Sequence, residues 1–90
     1  MLVSEPMGVR MIINFGIRIV GEDGSGVKDA EVAVHSNWAI DHGYTDEDGW
    51  VRFEKHTVFG DSIRTTIYVN GELISDGIWI ENETTLVYSV

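Results

Sequence analysis

Arg10-Met11-Ile12-Ile13-Asn14-Phe15-Gly16-Ile17-Arg18-Ile19-Val20 is the stretch that decides the fold. Met11, Ile13, Phe15, Ile17 and Ile19 fill the odd positions, and Arg10, Asn14, Gly16 and Arg18 fall among the even ones. An extended chain sends successive side chains to opposite faces, so this segment buries one face and wets most of the other. A helix would need apolar residues at spacings of three and four, and no run of ten residues reads that way.

The same period continues outward. Glu22-Asp23-Gly24-Ser25-Gly26 supplies a reversal. In Ala30–Ser36, Val32 and Val34 share one face while Glu31 and His35 take the other. Residues 37–45 read as a long loop, and Asp46-Glu47-Asp48-Gly49 as a second turn opening into Trp50-Val51-Arg52-Phe53-Glu54. A turn at Phe59-Gly60-Asp61 leads into Ser62–Val69, with Ile63, Ile67 and Val69 inward. Asn70-Gly71 is the sequence of a type I′ hairpin, which needs positive φ at both central residues. Glu72-Leu73-Ile74 then returns, Asp76-Gly77 breaks the strand, and Ile78-Trp79-Ile80 resumes. After Glu81-Asn82-Glu83, the last strand places Leu86, Tyr88 and Val90 on one face.

About seven strands separated by regular turn signals predict an all-β, antiparallel Greek-key sandwich, immunoglobulin-like or prealbumin-like. The expected organisation is an N-terminal tail over 1–9 and a single β-sandwich domain over 10–90. Ninety residues can bury roughly 60% of their unfolded surface, enough for a core with little stability to spare. With no cysteine, neither disulfides nor thiolate metal sites contribute, and the compartment is left undetermined.

The formal charge is −9. Arg10, Arg18, Lys28, Arg52, Lys55 and Arg64 are scattered, so no cluster forms that could neutralise a phosphate backbone or an anionic membrane. No apolar run approaches the roughly 20 residues of a membrane span, and Met1–Arg10 lacks the charged-then-apolar order of a signal segment. Nucleic acid and membrane insertion are therefore not expected.

Two stretches carry a resemblance: Ile19-Val20-Gly21-Glu22-Asp23-Gly24-Ser25-Gly26-Val27-Lys28-Asp29-Ala30-Glu31-Val32-Ala33-Val34, and Gly43-Tyr44-Thr45-Asp46-Glu47-Asp48-Gly49-Trp50-Val51-Arg52-Phe53. Together they resemble the opening of carboxypeptidase-regulatory-like, collagen-adhesin B-type and transthyretin-like domains. In those, a glycine turn precedes "V-x-D/G-A-x-V", and a "T-D-x-x-G" turn opens the next strand. The likeness covers roughly the first 55 residues and implies a prealbumin-like sandwich that serves as spacer, stalk, accessory domain or recognition module. B-type adhesin domains often carry a Lys–Asn isopeptide bond with the lysine on the first strand. Here that strand holds only Arg10 and Arg18, and Lys28 and Lys55 read as lying in or beside turns, so no internal cross-link is expected. The Tyr-Arg-Gly-Ser ending of the transthyretin-like hydrolases is replaced by Val87-Tyr88-Ser89-Val90, and their histidine and arginine set has no counterpart.

Candidate chemistry is sparse. An EF-hand with Gly49 at its sixth position would need acids where Tyr44 and Lys55 stand. A different calcium site on Asp46, Asp48 and Asp41 or Glu54 competes with a plain turn, which needs the same residues. His35, His42 and His56 fit no metal-ligand spacing. No serine sits in a nucleophile elbow, and Gly24-Ser25-Gly26 lacks both the third glycine and the helix of a dinucleotide loop. Asn82-Glu83-Thr84 matches the N-glycosylation pattern, which short sequences meet by chance. No catalytic residue, metal or cofactor is assigned.

Aromatic residues remain. Alternation sends Trp50 outward beside Arg52, and sets Trp79 opposite the face of Ile78 and Ile80, while Trp38 and Tyr44 fall in the loop. Trp38, Tyr44, Trp50, Arg52 and Trp79 form the candidate binding surface; the plainer alternative packs Trp50 and Trp79 together or under the loop. The expected function is a non-catalytic interaction or structural module that docks on a protein partner or self-associates. Carbohydrate binding on exposed Trp and Tyr is the alternative, and a small transthyretin-like hydrolase ranks below both.

Overall fold

The computed structural model describes residues 11–36, 39–57 and 60–90. The expected tail, Trp38 and Phe59 lie outside them. Seven strands follow in order: β1 (Met11–Val20), β2 (Glu31–Ser36), β3 (Ala39–Tyr44), β4 (Trp50–Thr57), β5 (Ser62–Val69), β6 (Glu72–Glu81) and β7 (Thr84–Ser89). They form a three-stranded sheet in the order β4-β1-β7 and a four-stranded sheet in the order β3-β2-β5-β6. The described chain is all-β, and a single apolar cluster fills the space between the sheets.

That cluster is the one the alternation specifies. Ile13, Phe15, Ile17 and Ile19 of β1 are fully buried and meet Val32 and Val34 of β2, Ile67 of β5 and Ile80 of β6. Phe15 pairs in register with Phe53, their rings stacked at a centroid distance of 5.7 Å. Burying a large aliphatic or aromatic side chain contributes about 1.5–3 kcal/mol each, so this inward row dominates stability.

The strand count agrees with expectation, but its membership differs in two places. Residues 39–44 are not loop: they form β3, paired antiparallel along β2 from Ser36↔Ala39 to Glu31↔Tyr44. As an edge strand β3 contributes no fully buried apolar side chain, so it lacks the alternation that reveals its neighbours. Asp76-Gly77 does not end a strand either. It is an irregularity within continuous β6, where the register against β5 shifts around Ile67 and Gly77 takes φ +66°. Thr66 Oγ1 spans the bulge, donating to Asp76 Oδ1 and accepting from the Gly77 N–H, both at 3.1 Å.

Asn70 and Gly71 adopt φ of 51° and 84°, as the I′ hairpin requires. Turns also form within residues 22–26 and 46–49 and at Asn82-Glu83, and the expected turn at Phe59-Gly60-Asp61 lies partly outside the described residues. β7 runs parallel to β1, the one parallel pair among the described strands, the others being antiparallel. The Asn82-Glu83 turn sets that direction by docking at the start of β1: Asn14 N–H donates to Asn82 Oδ1 and Glu83 N–H to the Asn14 carbonyl.

The two stretches that carry the family resemblance lock into each other. Thr45, 2% exposed, receives the Ala30 N–H on its hydroxyl oxygen and donates to the Val27 carbonyl. Asp29 N–H bonds the Thr45 carbonyl, Thr45 N–H the Ala30 carbonyl, and Ile19 N–H the Gly49 carbonyl. Gly26 and Gly49 touch backbone to backbone, since a Cβ on Gly26 would stand 2.1 Å from the Asp48 carbonyl oxygen. The motif residues thus join the β1–β2 turn to the β3–β4 turn.

Candidate functional site

The outer face of the four-stranded sheet is built in cross-strand rows. Glu31 lies opposite Tyr44. The next row runs His42, Ala33, Tyr68, Leu73, and the one after it Ile40, His35, Thr66 and the Asp76-Gly77 bulge. Arg64 stands opposite Trp79. The His35 and Tyr68 rings pack at 4.7 Å in the middle of this face. His35, Arg64, Thr66 and Asp76 line a shallow depression of about 340 Å³ beside them.

Around that centre stand four large apolar side chains in water: Trp79 is 68% exposed, Tyr44 64%, Ile40 56% and Leu73 53%. The Arg64 guanidinium, facing Trp79, lies over Gly77, its Nη2 2.5 Å from where a Cβ would stand. Tyr44 and Ile40 lie on β3, an edge strand among the described residues.

The four sequence-predicted residues that the structure describes, Tyr44, Trp50, Arg52 and Trp79, do not converge, and Trp38 lies outside the described residues. Trp50 and Arg52 are on β4, on the outer face of the other sheet. There both side chains lie over Gly16, whose Cβ position is 3.3 Å from Arg52 Nη1 and 3.4 Å from Trp50 Cζ3, and Trp50 is half-buried. Tyr44 and Trp79 share the four-stranded sheet but sit on its opposite edges. Trp50 and Trp79 belong to different sheets and do not cover each other.

Ile40 and Leu73 join the exposed face without having been singled out in the sequence. Ile40 lies in a segment without alternation, and Leu73 in the short run Leu73-Ile74, which by itself marks no face. The tilted His35–Tyr68 ring contact is legible only in part: the outward direction of His35 follows from alternation, its partner from strand order.

Lys55 corrects a second expectation. It is not beside a turn but inside β4, opposite Ile13 on the inward face, and only 6% exposed. Its Nζ contacts Asp41 Oδ2 of β3, whose side chain is 47% exposed, so the pair joins the two sheets. The mixed row Val51, Phe53, Lys55 placed an ammonium where alternation asks for an apolar group.

The acidic turn has a structural use. Asp46 Oδ1 accepts the N–H groups of Asp48 and Trp50, at 2.9 and 3.0 Å, which closes the turn and starts β4. The histidines stay apart: His42 Nδ1 is 3.4 Å from Glu31 Oε2 on β2, and His56 Nε2 is 3.4 Å from Glu54 Oε2 on β4. Among the described residues no three acidic or histidine side chains gather closely enough to hold a metal ion, and no helix is long and apolar enough to cross a membrane. No protein-family model matches the chain, and no curated protein matches it.

Proposed function

We propose that the chain is a non-catalytic interaction module, an accessory or spacer domain or a small subunit, that docks on a protein partner through the outer face of its four-stranded sheet. One observation carries this reading: Trp79, Tyr44, Ile40 and Leu73 are each more than half exposed on one face of a chain whose charge is −9. Exposed aromatic and aliphatic side chains grouped on one face supply the anchors of protein interfaces. The strand order, and the interlocked turns that carry the family resemblance, support a prealbumin-like Greek-key module of the carboxypeptidase-regulatory-like kind. Paired affinity capture tests the proposal, with wild type and a Trp79→Ser/Leu73→Ser variant as baits. A partner held by wild type and depleted on the variant is the expected result; equal recovery on both overturns the assignment of this face.

A second reading rests on the depression lined by His35, Arg64, Thr66 and Asp76, next to Trp79. An exposed indole gives a sugar ring an apolar platform, and a guanidinium with a nearby carboxylate can grip its hydroxyls. Glycan-array binding that is lost on Trp79→Ala supports it. An empty array, with tryptophan emission unchanged by added sugars, sinks it.

A further inference from the structure

Among the described residues four strands lie at sheet edges: β4 and β7 in one sheet, β3 and β6 in the other. Edge strands invite pairing with other chains, and proteins guard them with charges, bulges and irregular backbone. β4 carries Arg52, Glu54 and His56. β3 carries Asp41 and His42, with Asp41 turned inward onto Lys55. β6 carries Glu72, Asp76 and Glu81 and the bulge at Gly77. β7, Thr84-Thr85-Leu86-Val87-Tyr88-Ser89, carries no charge, glycine or proline, and its register along β1 is unbroken. Among the described residues nothing pairs with its other side.

The unguarded edge also lies beside the least covered part of the core. Leu86 and Tyr88 of β7, with Ile74 and Ile78 of β6, pack against the buried cluster yet remain partly exposed. The three-stranded sheet is one strand narrower than the sheet it faces. Val87, on the outer face, is 58% exposed.

We propose that β7 pairs antiparallel with β7 of a second copy, about a two-fold axis through Val87. The occupant is specified by the strand itself, which is a palindrome in side-chain type around that residue. In this register Val87 faces Val87, Leu86 faces Tyr88, and Thr85 faces Ser89. Aliphatic–aromatic and hydroxyl–hydroxyl pairs are favourable cross-strand combinations, and no carboxylate meets its like. The backbone agrees. Val90 N–H donates to the Val20 carbonyl, so alternation turns the N–H and C=O groups of Leu86 and Tyr88 toward β1. Those of Thr85, Val87 and Ser89 then point to the open edge, and these are the residues that the register sets opposite one another as hydrogen-bonded pairs. The result is an isologous dimer with a continuous six-stranded sheet, each copy covering the other's Leu86 and Tyr88.

This inference goes beyond the outer-face reading, and the two fail separately, because Trp79→Ser/Leu73→Ser leaves β7 untouched. The chain has no cysteine, which permits a clean register test. Paired Val87 Cα atoms would be about 5.5 Å apart, within disulfide range. Val87→Cys is therefore expected to form a covalent dimer on mild oxidation. Thr85→Cys alone is not, its copies standing about 14 Å apart, whereas Thr85→Cys mixed with Ser89→Cys gives the heterodimer. Sedimentation supplies the second measurement. Wild type is expected to dimerise, more tightly as salt screens the −9 charge of each copy. Val87→Pro, which removes an outward N–H and spares the β1 ladder, is expected to weaken the dimer about tenfold or more. A wild-type monomer at all concentrations, or cross-linking of Thr85→Cys alone in preference to Val87→Cys, overturns the proposal. If Val87→Pro fails to fold, the cysteine pattern decides.

Discussion

Neutralising Asp41 should destabilise the protein far more than removing the lysine it pairs with. Lys55 Nζ is buried between the sheets, and its charge is matched by Asp41 on β3. Asp41→Asn leaves the ammonium in place with a neutral partner. Breaking a fully buried pair in this way costs about 3–5 kcal/mol. Because the Asp41 side chain is 47% exposed, water already screens part of the attraction, and we expect a loss of about 2–3 kcal/mol. For a domain of this size that lowers Tm by roughly 8–24 °C.

Lys55→Met removes the charge that is hard to desolvate, keeps an unbranched side chain of similar length, and returns Asp41 to water. It should stay within about 1 kcal/mol of wild type. The double variant should then match Lys55→Met within about 0.5 kcal/mol, since Asp41 has nothing left to neutralise. Urea melts of the four proteins, followed by circular dichroism at neutral pH, complete the cycle. An Asp41→Asn protein as stable as wild type, or Lys55→Met falling as far as Asp41→Asn, would refute the reasoning.

Gly49→Ala should cost more than about 2 kcal/mol in the same melts, because φ is +87° and a Cβ would sit 2.3 Å from the Ile19 carbonyl oxygen. Phe15→Ala should lose about 3–5 kcal/mol, and pairing it with Phe53→Ala should lose less than the sum, the two rings sharing one contact. Asp23 titrates below the ordinary aspartate value because the Ser25 hydroxyl, and then its N–H, bond the carboxylate. A depressed folded value means that its small stabilising effect is present above the unfolded value and fades as pH falls through the folded one. Ser25→Ala should move the Asp23 titration upward by carboxyl NMR; an unchanged midpoint would contradict that hydrogen bond as the cause.

The inward rows of β1, β2 and β5 could be read from the sequence because both neighbours of each strand are strands, and burial then follows alternation directly. β3 could not. Among the described residues it has a neighbour on one side only, and its inward positions, Ala39, Asp41 and Gly43, hold no large apolar side chain, so the alternating signal is absent although the hydrogen-bonded ladder is complete. β6 reads as two strands for a related reason: Asp76-Gly77 carries the composition of a turn, yet Thr66 of the neighbouring β5 bonds both residues across the bulge and the strand runs on. Lys55 escaped because a charged side chain on an inward position is stable only with a partner, and Asp41 was assigned to a loop. Each miss is a case in which a residue's environment is set by a strand distant in sequence.

Trp50 and Trp79 show the same limit at the candidate site. Both follow the alternation outward, both sit on edge strands, and the sequence treats them alike. Their fates differ through their cross-strand neighbours. Gly16, reached diagonally from Trp50, has no side chain, and the indole lies down over the gap with Arg52 beside it. The glycine near Trp79 is Gly77, but there the Arg64 guanidinium already fills the space, and the ring is left in water. The three-stranded sheet thus half-covers its tryptophan, while the four-stranded sheet leaves Trp79 on display. If that account is right, Arg64→Ala should free the hollow above Gly77 and let Trp79 settle into it, shifting its emission to the blue. A spectrum no bluer than wild type would mean that something other than the guanidinium holds the ring out.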